Sequence, residues 1–405
     1  MHQAKPPDTP PLAGIRVLEV GHGLASPFCG MQLADLGATV VKLENPRGGD
    51  MLRSTGPFVD GESANYLRVN RNKRSIAVDL KSAKGREVCL RLVERADVML
   101  ENFRPGTMDD LGLAYPDLAD RNPRLIYVGA SGWGKDGPYA ELAGVDLMAQ
   151  AMSGLMSVMG EAGGSPVSVG VPICDLVCAL YGTIGALAAL QARERTGRGQ
   201  FVDVCLFETG VSLGILGASA HFTDGRVPAP LGSAHHTNAP YQAIRAADKW
   251  FTVGAISPRT WTAFCAALEL TALEDDPRFE LNHLRWEHRA ELIELVERVT
   301  VQAPAAHWLS RLQEAGVPCA PLQDYGEVAR DPHLLARDFF VDLPHTTAGM
   351  VRQLGSPLRL SETPVELRWS APVLGEHSLE LLTELGYDDD EAGALVSEGV
   401  IGARG

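Results

Sequence analysis

The sequence predicts an α/β protein: a doubly wound, mostly parallel sheet over residues 12–133, followed by a second, smaller unit. Three observations carry this. Short β-rich runs alternate with helical patterns from the start of the chain. Apolar residues make up 45% but aromatics only 6%, the balance of an Ala/Gly/Leu/Val-rich α/β enzyme and not of a β-sandwich. At 405 residues the chain is too long for one average domain.

The elements follow in order. Ile15–Val20 is a β-rich run, Gly21-His22-Gly23 a turn, and Pro27–Leu36 a helical pattern with its proline where a first helical turn accepts one. Thr39–Leu43 is the next strand, so the chain opens as βαβ. Arg74–Asp79 then reads as a strand, Gly85–Ala96 as a helix, and Val98–Leu100 and Leu125–Gly129 as further strands. Residues 134–170 are rich in Gly, Ser and Pro, as loops that carry function are. A long apolar helix, expected to be buried, runs from about Asp175 to Arg195 and stops at Thr196-Gly197, before a strand at Phe201–Leu206. A second unit spans about 225–325, with a strand at Trp250–Gly254 and helices near 258–269, 288–299 and 304–315. From 326 the text is loop-rich and closes with a helix at Ser378–Leu385.

Composition excludes several classes of function. A formal charge of −15 argues against nucleic acid, since phosphate backbones need a basic face. Met1–Pro11 has no apolar core and does not read as a signal peptide. No run of apolar residues suggests a membrane span, because the longest, Val171–Leu190, carries Asp175 and two glycines. The seven cysteines sit mostly in apolar segments, and Cys174-x3-Cys178 lacks a partner pair at zinc spacing. Buried reduced thiols and a cytoplasmic location are expected. His235-His236 lies in a loop without acidic or Cys neighbours, so no metal is expected.

Several positions could carry chemistry. Gly21-x-Gly23-x-x-Ser26 between strand and helix, with Glu44 ending the next strand, approaches a dinucleotide fingerprint. Ser26 and Pro27 depart from it, yet the turn still offers backbone N–H groups to a phosphate. Asp175 follows a Gly/Pro turn and precedes an apolar helix, which is an N-cap position. A carboxylate there is expected to be held below its usual range by the helix dipole, and so to stay ionised as a nucleophile. Asp146 is a second loop carboxylate, either a cap or an accessory acid/base. Glu101–Gly106 follows a strand end, where Asn102, Phe103 and Arg104 combine amide, aromatic and cation. Asn70–Arg74 is a basic cluster, either solvated or binding phosphate.

In this order the segments resemble the class III (CaiB/BaiF-like) CoA-transferases. The matching stretches include Leu12–Glu19, Gly37–Glu44, Asn72–Ser75, Ala96–Gly106, Asn122–Arg124, Arg195–Gln200, Asn238–Tyr241, Gly316–Pro318 and Leu374–His377. The resemblance implies a Rossmann-like large domain drawn from both ends of the chain (1–220 and 326–405), a smaller inserted α/β domain at 225–325, and an interlocked homodimer. It places the family's nucleophile on Asp175, with an aspartyl acyl-anhydride and then an aspartyl-CoA thioester as intermediates. It implies coenzyme A contacts at Asn102, Phe103 and Arg104, at His22 and Ala25 in the first turn, and at Arg47, Lys73 and Arg74 as phosphate partners. Acyl-CoA and a free carboxylic acid, a dicarboxylate such as succinate among them, are then substrates, with no tightly bound cofactor.

Two departures narrow the choice. Leu24 cannot offer the amide that formyl-CoA-type members carry, and Pro258 stiffens a loop that is glycine-rich in them. Related α-methylacyl-CoA racemases carry a His where this chain has Val145, and proton exchange at an α-carbon needs two proton carriers. A racemase, a non-catalytic CoA-binding subunit and a dehydrogenase are the alternatives to a transferase.

Overall fold

The computed structural model describes residues 9–403, so Met1–Asp8 of the N-terminal stretch lies outside the described residues. The chain forms two compact units: one from residues up to Leu155, Ser168–Ala218 and Leu335 onward, the other from Met156–Val167 and Ser219–Leu334. Met156–Val167 thus groups with the second unit, where Gly232 N–H donates to Gly160 O at 2.8 Å.

The first unit starts with β1 (Arg16–Glu19), α1 (Ala25–Asp35), β2 (Thr39–Glu44), β3 (Lys73–Val78), α2 (Ala83–Glu94), β4 (Val98–Glu101) and β5 (Ile126–Ser131). It continues through α3 (Asp146–Met152), α4 (Ile173–Thr196) and β6 (Phe201–Cys205). The second unit has β7 (Tyr241–Arg245), β8 (Trp250–Gly254) and β9 (Cys319–Pro321) in an antiparallel sheet of order β9-β8-β7. Helices α5 (Pro258–Ala267), α6 (Arg289–Thr300) and α7 (Ala305–Glu314) close its core around Phe251, Phe264, Leu292, Val296 and Leu312. Ser257 caps α5 and Pro258 is its first residue, so the stiffened loop is a helix start.

Back in the first unit come the hairpin β10 (Phe340–His345) and β11 (Gly349–Leu354), then α8 (Ser378–Glu384), α9 (Asp389–Ser397) and β12 (Ile401–Gly402). The sheet order is β12-β3-β2-β1-β4-β5-β6, parallel except for β12, which runs antiparallel to β3. Alternation along the strands feeds two cores. Val17, Val98, Leu100, Ile126 and Val128 meet α1 and α4 on one face. Leu18, Met99 and Tyr127 meet α2, α8 and α9 on the other. The order reverses between β1 and β4, and in open α/β sheets ligands bind outside the strand ends at such a point.

Helix α4 is long and apolar enough to cross a membrane, the one such helix among the described residues. It lies on β5 and β6 through small residues. A Cβ on Gly185 would come within 2.5 Å of Val202, so glycine sets how near helix and strand approach. It ends at Gly197, whose φ of 71° is left-handed. The expectation of a wholly buried helix is corrected: one sheet covers one stripe, and Leu180, Tyr181 and Ile184 are left exposed, Ile184 by 59%.

Candidate active site

Three short segments meet around the first turn of α4. Ala25 at the start of α1, Ala130 on β5, Ala149 on α3 and Cys174 and Cys178 on α4 form one small buried cluster. This packing brings Ala25 into the same neighbourhood as the first turns of α3 and α4, which carry Asp146 and Asp175.

Asp175 is not an N-cap. The cap position of α4 is Pro172, which has no side chain to offer, and Asp175 is the third helical residue. Its carboxylate makes no hydrogen bond among the described residues. Burial pushes its pKa up to about 6, and the nearby Asp146 charge adds to the rise. The expected depression is therefore reversed: desolvation and a like charge outweigh the helix dipole. At neutral pH the group is still mostly ionised, but it is a more basic and less satisfied carboxylate than a capping one.

The capping is done by Asp146. Its Oδ1 accepts the N–H groups of Cys174 at 2.8 Å and Asp175 at 3.2 Å, satisfying two free donors of the α4 first turn from another helix. Its Oδ2 takes Gln150 Nε2 at 2.5 Å, while Gln150 Oε1 accepts Val169 N–H at 2.9 Å. With both oxygens engaged, Asp146 holds the turn in place. Gln150, fully buried, was not singled out in the sequence; an amide four residues after a carboxylate on one helix face was the available signal.

At the switch point, Asn102 bridges the ends of β1 and β4. Its Oδ1 accepts His22 N–H at 2.9 Å and its Nδ2 donates to His22 O at 2.8 Å. Phe103 meets the His22 ring edge-on at 5.2 Å. A Cβ on Gly21 would fall 2.4 Å from Asn102 Oδ1, so only glycine fits there. Burial lowers the His22 pKa against the pull of Asp50, which keeps the ring neutral at pH 7. Phe103 and Arg104 line a cleft of about 320 Å³ at the ends of β4, β5 and β6, shared with Tyr115, Phe201 and Glu101. Burial raises Glu101 to about 7, a perturbed carboxyl that the sequence did not mark.

The basic residues divide. Arg47 follows β2 with its side chain 74% exposed, pairing at 3.1 Å with Asp79 beyond the end of β3, at the C-terminal edge of the parallel strands. Arg74 sits near the opposite end of β3 and is bound by Glu380 and Glu384. Lys73 is fully buried, its Nζ 2.7 Å from Glu19 Oε2 and 2.7 Å from Pro27 O. A phosphate cannot reach an ammonium enclosed in this way, so the phosphate contact expected for Lys73 is corrected to a structural ion pair. Glu44, the acid of the dinucleotide pattern, is held by Arg53 at 2.7 Å and by Ser75 Oγ at 2.7 Å, leaving nothing for a ribose. In the second unit His235 stacks on Tyr241 at 5.0 Å.

Residues 12–378 match the family model described as CoA-transferase family III. This chain belongs to that family. It is 36% identical over 394 residues to the human succinyl-CoA:glutarate CoA-transferase, covering 96% of this chain and 90% of that one. It is 38% identical over 377 residues to the acetyl-CoA:oxalate CoA-transferase of Acetobacter aceti, covering 92% and 95%. A crystal structure of a CaiB/BaiF family protein from Brucella suis superposes with a TM-score of 0.85 at 37% identity, over 93% of this chain and all of that one. The reading of the chain as an acyl-CoA:carboxylate CoA-transferase with a mixed α/β fold and a mostly parallel central sheet therefore stands.

Proposed function

We propose that this transferase works through Asp175 as a covalent nucleophile. The observation that carries the proposal is a half-buried carboxylate with no hydrogen-bond partner, raised to about 6, on a helix turn that a second carboxylate holds from outside. The ionised Asp175 attacks the thioester carbonyl, the CoA thiolate leaves, and a mixed anhydride forms. The thiolate then attacks the aspartyl carbonyl, releasing the donor acid and leaving an aspartyl-CoA thioester. An acceptor carboxylate attacks that thioester and expels the thiolate, which finally takes the acceptor acyl group and regenerates Asp175. Water must be kept out, because the anhydride would hydrolyse.

His22, Ala25, Asn102, Phe103 and Arg104 supply the wall for coenzyme A in this reading, with Arg47 as the phosphate partner. Succinyl-CoA is the first donor to try and dicarboxylates the first acceptors, by likeness to the relatives above. Donors screened against free acids with product mass as readout test it: CoA transfer to at least one dicarboxylate is expected, and hydrolysis without transfer would refute it.

A homodimer belongs to the same reading, as does the large domain drawn from both ends of the chain. Val145, Leu147, Met148, Leu180, Tyr181 and Ile184 are exposed apolar side chains on the helices that carry the two aspartates or next to them. A second copy covering them would exclude water from Asp175. The seven cysteines are free thiols, which supports the cytoplasm as the compartment.

A further inference from the structure

We infer that Glu19, Lys42, Asp50 and Lys73 form a buried positioning network for the Gly21–Pro27 segment, an inference that rests on this segment walling the acyl-CoA site. None of the four side chains is more than 2% exposed. Lys42 Nζ lies 2.7 Å from Glu19 Oε1, 2.9 Å from Asp50 Oδ2 and 3.0 Å from Gly21 O. Asp50 Oδ1 accepts Gly23 N–H at 3.0 Å and Leu52 N–H at 2.9 Å. Lys73 Nζ binds Glu19 Oε2 and Pro27 O, each at 2.7 Å, and Asn70 Oδ1 at 2.8 Å. The segment is thereby gripped at Gly21 O, Gly23 N and Pro27 O by charged groups, and at His22 N and O by Asn102.

Charges in the middle of a parallel sheet are costly, and apolar side chains of similar volume would serve stability as well or better. What apolar side chains cannot do is fix three backbone atoms of a glycine-bearing turn. Two ammonium and two carboxylate groups cancel, so the network holds the turn without adding net charge beneath an anionic ligand. Its members lie on β1, β2, β3 and the turn after β2, so the backbone of the site is referenced to three strands at once. These are positioning residues: they act through the turn and do not touch substrate.

The test compares Asp50→Ala with Asp50→Asn. Alanine removes the acceptor for Gly23 N–H; asparagine keeps an oxygen there and leaves Lys42 paired with Glu19. Hydrogen exchange over residues 21–27 reads the turn without reference to activity. Asp50→Ala should exchange faster there than wild type while melting as a folded protein, and its kcat/KM for the acyl-CoA donor should fall roughly a hundredfold. Asp50→Asn should exchange like wild type and regain all but about tenfold of that loss. Unchanged exchange in Asp50→Ala, or equal loss of activity in both variants, overturns the inference. If Asp50→Ala fails to fold, Asp50→Asn decides it: that variant loses the ion pair with Lys42, so a kcat/KM equal to wild type counts against the network. Should wild type move no CoA, the proposed function fails, and the exchange arm still judges the positioning.

Discussion

Replacing Asp175 by Asn separates a nucleophile from a structural aspartate by two opposite effects. The carboxylate has no hydrogen-bond partner among the described residues, so an amide of the same shape forfeits none. It does remove a charge that burial and Asp146 disfavour, the reason the pKa stands at about 6 and not near 4. A folded-state pKa raised above the unfolded one means that the charge destabilises the fold. The penalty is absent below about pH 4, where both states are protonated; it grows between about 4 and 6 and is full above 6. Asp175→Asn should accordingly be more stable than wild type by about 1–3 kcal/mol at pH 7.5, and equal to it near pH 4. Denaturant titrations at both pH values, at one protein concentration, measure this. The same variant should transfer CoA several orders of magnitude more slowly, because an amide is a poor nucleophile. In wild type the first half-reaction should lose rate as pH falls through about 6, as the nucleophile takes up its proton. A variant that is less stable at pH 7.5 and still active would refute the reasoning, and an acid limb well below pH 5 would refute the electrostatic part.

Asp146→Asn removes the like charge beside Asp175, so the acid limb should shift to lower pH in a pH–rate profile, while loss of the charged cap lowers stability by about 1 kcal/mol. Lys73→Met leaves a buried carboxylate short of a partner and should cost about 3–5 kcal/mol in denaturant titration, whereas Arg47→Ala should raise the KM for acyl-CoA severalfold with stability unchanged. In heavy water a chiral 2-methylacyl-CoA should gain no deuterium at its α-carbon, since Val145 offers no proton; rapid uptake would return the racemase.

The fold was largely legible because period-2 and period-3.6 patterns alternate cleanly through β6. The end of the chain was less so: β12 is two residues long, and β10 and β11 carry exposed charges between weak apolar positions. Asp175 could be singled out from its Gly/Pro turn and apolar helix, but the burial that raises its pKa, and the Asp146 charge that adds to the rise, come from packing that the local sequence does not show. Lys73 misled for a related reason. A lysine in Asn70–Arg74 reads as a surface cation, and only the pairing of β3 with β2 beside β1 encloses it against Glu19. The signal was present in Glu19, Lys42 and Glu44, charges in strands that are otherwise buried and apolar.

The most direct test is to trap the intermediate. Wild type incubated with succinyl-CoA and quenched with hydroxylamine should carry a hydroxamate on the peptide containing Asp175, found by peptide mass analysis, and Asp175→Asn should carry none. A mark at Asp146, or turnover of acyl-CoA to a new CoA ester with no mark at Asp175, would contradict the account.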